Sequence, residues 1–142
     1  MSSLIYKMPD PVRHPDGSLT ISLPIPARQI SPNARRGQSK WAALQKSKVV
    51  KAHRQHAKQQ TMLAILSLFW PGPFEPVVGY SLAHYFKTAA WRDDDNADGA
   101  CKAYRDGICD ALGIDDKRIR KVKLSTLAKD KDQPRVEITL YT

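Results

Sequence analysis

Eight aspartates crowd the stretch from residue 93 to residue 116: Asp93, Asp94, Asp95, Asp98, Asp106, Asp110, Asp115 and Asp116. Asp93 and Asp95 stand two apart, so at the end of an extended strand their side chains point to the same side. A helix that follows and folds back brings Asp116 towards that pair. Three gathered carboxylates repel one another and hold protons unless a cation joins them. Mg²⁺ or Mn²⁺ relieves the repulsion and keeps coordination positions open for phosphate oxygens and water, which is the chemistry of phosphodiester hydrolysis. Lys102, on the intervening helix, adds a positive charge beside the same centre. Spacing alone leaves a plainer alternative open, a solvated turn whose carboxylates cap the helix. A calcium loop is excluded. Asp94-Asp95-Asn96-Ala97-Asp98-Gly99 fits the first half of an EF-hand loop, but Arg105 stands at the twelfth position, where a bidentate Glu is required.

This acidic patch sits in a basic chain. Lys and Arg number 23 against 14 Asp and Glu, a formal charge of +9 over 142 residues. Such a balance favours a polyanionic partner, nucleic acid first. No acid occurs between Asp16 and Glu75, a stretch that holds Arg28, Arg35, Arg36, Lys40, Lys46, Lys48, Lys51, Arg54 and Lys58. A second cluster, Lys117, Arg118, Arg120, Lys121 and Lys123, follows the aspartates. Cys101 and Cys109 lie in one segment with no Cys/His ligand set around them, which argues against a disulfide scaffold or zinc finger. Met1 to Arg13 holds no hydrophobic signal segment, and Met62 to Trp70 is too short to span a bilayer. The expected location is therefore cytoplasmic, with no membrane partner.

The elements that must position these groups follow from periodicity and punctuation. Residues 1–17, broken by Pro9, Pro11, Pro15 and Gly17, read as an irregular lead-in. Residues 18–142 read as a single domain. Leu19 to Ile25 alternates as a strand stopped by Pro24 and Pro26. Ser39 to Leu68 lacks Gly and Pro and reads as one long helix with Ser39 as its N-cap. Val77 to Phe86 reads as a strand with Val78, Tyr80, Leu82, His84 and Phe86 on one face. A second helix is expected from Ala97 to Leu112, stopped by Gly113. Strands Arg118–Leu127 and Arg135–Tyr141 close the chain around a turn at Lys129–Gln133. The expected fold is α+β, in the order β-α-β-α-β-β, with two helices packed on a small mixed sheet.

With these elements placed, the series Asp93-x-Asp95-Asn96, Lys102-x-x-x-Asp106, Asp115-Asp116 resembles the RusA family of Holliday-junction resolvases. Leu23-Pro24-Ile25-Pro26 and Ser31-Pro32-Asn33-Ala34-Arg35 resemble that family's N-terminal strand and the basic loop after it, so the likeness covers residues 19–141. The sequence departs from the family at one point. The family's lysine follows the second Asp by four residues, where this chain has Gly99, and Lys102 fits with Ala97-Asp98-Gly99 inserted. The resemblance implies a homodimeric, Mg²⁺-dependent endonuclease, often carried by phages and prophages, that cuts four-way DNA junctions by paired nicks in recombination and repair. It implies that Asp93, Asp95 and Asp116 hold the metal and that Lys102 is the catalytic lysine. Together with the charge distribution, it assigns DNA contacts to Asn33, Arg35, Arg36, Lys40, Lys46, Lys48, Arg92 and Arg118.

The remaining singled-out residues have plainer expected roles. Trp41, Trp91 and Tyr85 are expected to pack, and base stacking is the lesser alternative for Trp41. His84 is expected to be structural, and His53 and His56 lack the i, i+4 spacing of a helical metal pair. Cys101 and Cys109 are expected to be buried. Two rivals to the nuclease stand: a non-catalytic basic DNA- or RNA-binding accessory protein, and a metal-dependent phosphoesterase acting on small substrates. The long acid-free stretch counts against the second.

Overall fold

In the computed structural model, the described residues are 8–27, 30, 39–70, 77–88 and 94–142, with the side chains of Asp94, Asp95 and Asn96 excepted. The protein is α+β. Its mixed sheet contains β1 (Val12–Arg13), β2 (Leu19–Leu23), β3 (Gly79–Phe86), β4 (Arg120–Lys121), β5 (Thr126–Lys129) and β6 (Arg135–Tyr141). The helices are α1 (Lys40–Ser67), α2 (Asp94–Ala100) and α3 (Lys102–Leu112), and a short 3-10 turn spans Asp116–Arg118.

Alternation along three antiparallel strands builds the core. β6 lies between β2 and β3, with Leu19 opposite Leu140, Ile21 opposite Ile138 and Leu23 opposite Val136. On its other side Ile138 meets Leu82 and Val136 meets His84. Period two sends these side chains to one face, where all are buried. The opposite face is polar: the Thr20 and Thr139 hydroxyls are 2.7 Å apart, and Ser81 lies 2.8 Å from the Tyr141 hydroxyl. On its other edge β3 pairs in parallel with β4 and then β5. Between Tyr80↔Lys121 and Ala83↔Thr126, β3 advances three residues and its neighbour five, so this edge strand carries a two-residue bulge.

Ser39 caps α1 as its sequence suggests, its hydroxyl accepting from the Ala42 N–H at 3.2 Å. The other end closes with the Trp70 N–H donating to the Ile65 carbonyl at 3.0 Å, while Phe69 adopts the left-handed conformation at φ 52°. Arg13 on β1 donates to the Leu68 and Phe69 carbonyls there, and the buried Trp70 indole donates to the Gly17 carbonyl at 2.9 Å.

α1 and α3 pack against each other at Gly107, where an added Cβ would collide with the backbone carbonyl of Arg54. The close approach requires a glycine there. Tyr104 of α3 is buried, donates to the Pro24 carbonyl at 2.7 Å, and stacks on His53 of α1 with centroids 5.2 Å apart. His53 Nε2 accepts from the Ala27 N–H at 3.1 Å, so its Nδ1 carries the proton donated to the Val49 carbonyl at 2.9 Å. His53 is thus a joint between the loop after β2, α1 and α3.

The structure corrects several expectations. The lead-in contributes β1, because Arg13 has the end of α1 to hold. β2 stops at Leu23, just before Pro24, whose carbonyl takes the Tyr104 hydroxyl. The expected helix 97–112 begins instead at Asp94 and breaks at Cys101, where the Cys101 N–H bonds to the Asp98 carbonyl at 3.0 Å and tightens the turn. Asp95 is therefore helical rather than at an extended strand end. The expected strand 118–127 divides into the end of the 3-10 turn, β4, the bulge and β5. Gly113 terminates α3 as expected, left-handed at φ 70°.

Candidate functional site

Four described aspartates gather where α3, the 3-10 turn and α1 meet. Asp106, Asp110, Asp115 and Asp116, with Arg54 of α1, line a cleft of about 250 Å³. Successive turns of α3 supply Asp106 and Asp110, and the left-handed Gly113 reverses the chain so that Asp115 and Asp116 return to the same end. Arg54 grips Asp110 with two nitrogens, at 2.6 and 2.8 Å. That hydrogen bond holds the Asp110 carboxyl below its usual 3.8. Asp115 spends its carboxylate as the cap of the 3-10 turn, accepting from the Lys117 N–H at 3.0 Å. Asp116 is freer: Arg105 approaches it at 4.0 Å, and its side chain is 38% exposed. Asp106 accepts from Lys102 at 3.3 Å through Oδ2, while its Oδ1 is buried without a hydrogen-bond partner among the described residues.

Lys102 stands at the start of α3, 67% exposed, and reaches the cleft through this bond to Asp106. It also borders a second cavity of about 470 Å³ between α2, α3 and the sheet, floored by Leu82, Ile108, Ile138 and Leu140 and rimmed by Asp98, Lys102, Arg105 and Lys121. Arg105 separates the two spaces. Its guanidinium donates to the Tyr80 hydroxyl at 3.3 Å and faces Asp116 on the other side.

Asp98 is the residue that sequence reasoning passes over. The sequence gives it no role of its own, as one of the clustered aspartates within an inserted segment, yet it organises the α2 end of the site. Buried His84 donates from Nε2 to its Oδ1 at 2.8 Å, Lys121 donates to its Oδ2 at 2.7 Å, and Ser125 lies 2.7 Å from both oxygens. Burial alone would raise the Asp98 carboxyl; the hydrogen bonds from Lys121, His84 and Ser125 outweigh it and hold the group below 3.8. The edge-strand bulge matters here, because Lys121 and Ser125 flank it and both turn inward to one carboxylate. The available signal is His84, a polar residue on an apolar strand face, which requires a buried partner.

Of the expected metal ligands, Asp116 lines the cleft, Asp95 is placed by its backbone in α2, and Asp93 lies outside the described residues. Asn33, Arg35, Arg36, Arg92 and Trp91 also lie outside them. Lys40, Lys46 and Lys48 stand exposed on the first turns of α1, and Arg118 is exposed at the end of the 3-10 turn. Tyr85 packs as expected, under the Arg135 guanidinium at 4.1 Å. Cys101 and Cys109 are buried free thiols. Trp41 departs from expectation: it is 69% exposed, because the first half of α1 extends beyond the region where Ala57, Thr61 and Ala64 are buried. Among the described residues no three His, Cys, Asp or Glu side chains stand close enough to hold a metal ion together. Asp106 and Asp116 are hard oxygen donors of the kind Mg²⁺ takes, and the partnerless Asp106 oxygen is compatible with a cation at the cleft. Among the described residues no helix is long and apolar enough to cross a membrane.

No family model matches the chain. Over 102 residues, 70% of its length, it is 40% identical to an uncharacterized protein of Xylella fastidiosa (strain Temecula1 / ATCC 700964). The match spans 61% of that relative, so this chain corresponds to less than two thirds of it.

Proposed function

We propose that this protein is a Mg²⁺-dependent endonuclease that nicks branched DNA, as the resemblance to RusA resolvases implies. One observation carries the reading most: the aspartate cleft lies directly against the acid-free basic helix, with Arg54 of α1 forming one wall. A phosphate backbone following α1 would be led to the carboxylates. Asp116, Asp95 and Asp93 would hold the metal, with Asp106 beside them. The bound ion would offset charge on the scissile phosphate and make water a better nucleophile. Lys102, exposed and anchored by Asp106, adds a fixed positive charge near the charge that develops in the transition state. Paired nicks at a junction would suit a two-fold homodimer.

The test is to incubate the protein with a fixed four-way junction, with and without Mg²⁺ or Mn²⁺, and resolve the products on a denaturing gel. Metal-dependent nicks are expected. Asp93→Asn, Asp95→Asn and Asp116→Asn should each abolish them while preserving or tightening junction binding, since each removes negative charge near phosphate. If all three variants nick normally, the catalytic reading is wrong. The engagement of Asp98, Asp110 and Asp115 with neighbouring donors favours a second reading, a non-catalytic nucleic-acid-binding protein whose aspartates are structural. Junction binding with no nicking under either metal would select it.

A further inference from the structure

α1 is 28 residues long, about 42 Å at 1.5 Å per residue, and its fully buried residues all fall in its second half. In the first half, Ala42, Gln45, Val49 and Val50 turn inward and are half-buried. The opposite face carries Lys40, Trp41, Leu44, Lys48 and Lys51, all exposed, with Trp41 at 69% and Leu44 at 50%. None of these lysines forms an ion pair with a carboxylate among the described residues, whereas Arg54, on the flank of the helix, is tied to Asp110. A solvated helix face intended only for solubility has no use for its largest apolar side chain there. A protein partner of ordinary composition would be met by unmatched charge. Indole and ammonium groups on one rigid face match a strand that presents flat bases and phosphates together.

We propose that the outer face of the first half of α1 is a platform for unpaired DNA bases, with Trp41 stacking on a base and Lys40, Lys48 and Lys51 contacting the flanking phosphates. The inference rests on the reading of the chain as acting on branched DNA, where strands leave the duplex and bases unstack most easily. It goes beyond that reading by assigning a contact specific for unpaired strands to a residue far from the carboxylates in sequence. The platform is preorganised, because the Ser39 cap fixes the helix start two residues before Trp41. Lys48 and Lys51 lie about 10 and 15 Å along the helix from Trp41, so the face spans only a few nucleotides.

The experiment measures binding of the full chain, in EDTA, to a fluorescent oligo-dT strand and to a duplex of equal length. Trp41→Ala should weaken oligo-dT binding by about 5- to 150-fold, the range for removing one base–aromatic stack, and duplex binding by less than about twofold. Trp41→Phe should restore most of the affinity, and Trp41→Leu, equally apolar but without a ring face, should not. Lys48→Ala with Lys51→Ala should weaken both ligands and lower the single-strand salt slope by about 0.7 for each phosphate left without its lysine. Circular dichroism should show all variants folded, since Trp41 stands outside the buried core. Unchanged oligo-dT affinity in Trp41→Ala, or an equal weakening on both ligands, overturns the proposal. So does a wild-type oligomer that Trp41→Ala dissociates in sedimentation, which would place the indole between copies of the chain. Metal-free binding keeps this test separate from the nuclease assay: a chain that nicks junctions but binds oligo-dT equally with and without Trp41 fails here alone.

Discussion

Replacing Asp98 with Ala should destabilise the fold by about 2–4 kcal/mol, although its side chain is not fully buried. His84 is 1% exposed, and its Nε2 proton would lose its acceptor with little water to replace it. An orphaned buried donor costs about 1–3 kcal/mol. Ser125 loses one ordinary hydrogen bond, about 1 kcal/mol. Lys121, 32% exposed, can rehydrate and adds little. Against a total stability of about 5–15 kcal/mol, and with a urea slope of about 2 kcal/mol per molar, the unfolding midpoint should fall by about 1–2 M. Asp98→Asn keeps an acceptor for His84 but turns an amide toward Lys121, so it should lie between. The pH dependence provides a second check. The Asp98 carboxyl is held below 3.8 in the folded protein, so the unfolded chain takes up the proton first. Its contribution is complete above that value and disappears as pH falls through the lower folded value. Urea titrations at pH 7, 5, 4 and 3 should therefore show Asp98→Asn losing less stability than wild type on acidification. A midpoint shift in Asp98→Ala worth less than about 0.5 kcal/mol, with no pH-dependent difference, would refute this account of the network.

Other expectations follow from particular contacts. Gly107→Ala should cost at least about 1–3 kcal/mol in urea unfolding, because its methyl meets the Arg54 backbone and the two helices must separate; a neutral outcome would mean that α1 and α3 pack more loosely. Phe69→Gly should raise the melting temperature, since relieving a non-glycine residue at φ 52° returns about 1–2 kcal/mol, less the entropy glycine adds to the unfolded chain. The phenyl ring, 84% exposed, contributes little packing in return, and a lowered melting temperature would contradict this reading of the strain. Burial pushes the Cys101 thiol up to about 12 and the Cys109 thiol up to about 11. Both should resist a thiol-specific disulfide reagent at pH 8 in buffer and react at once in denaturant; rapid labelling of the native protein would contradict their placement.

Much of the scaffold is legible in the sequence because it rests on local rules. Ser39, the Gly- and Pro-free run behind it, Gly113, and the alternation of Arg135–Tyr141 each fix an element by cap, propensity or period. Other features depend on partners distant in sequence. Asp98 looks like an inserted surface residue until α2 is set against β3 and the edge strand, and the break at Cys101 accompanies that anchoring. The bulge after the 3-10 turn escapes a sequence reading because nothing in Val122-Lys123-Leu124 marks it locally. Trp41 defies expectation because hydrophobicity predicts burial only where another element is available to cover the site, and none among the described residues does so. The cleft is legible in part: the return of Asp115 and Asp116 beside the helix follows from the sequence, while the share of Asp106 and the wall formed by Arg54 require the packing of α1 on α3.

The bulge also governs how the sheet ends. A strand at an open edge presents a row of free backbone groups that can template another chain. Here one margin of the sheet is the two-residue β1, and the other is divided into β4 and β5 by residues that leave the ladder. Lys121, Lys123 and Lys129 are distributed along this second margin. An incoming strand would find at most four consecutive residues in register before meeting the kink, together with lysine charge. The same two surplus residues that let Lys121 and Ser125 converge on Asp98 therefore also disfavour the addition of a further strand along this margin.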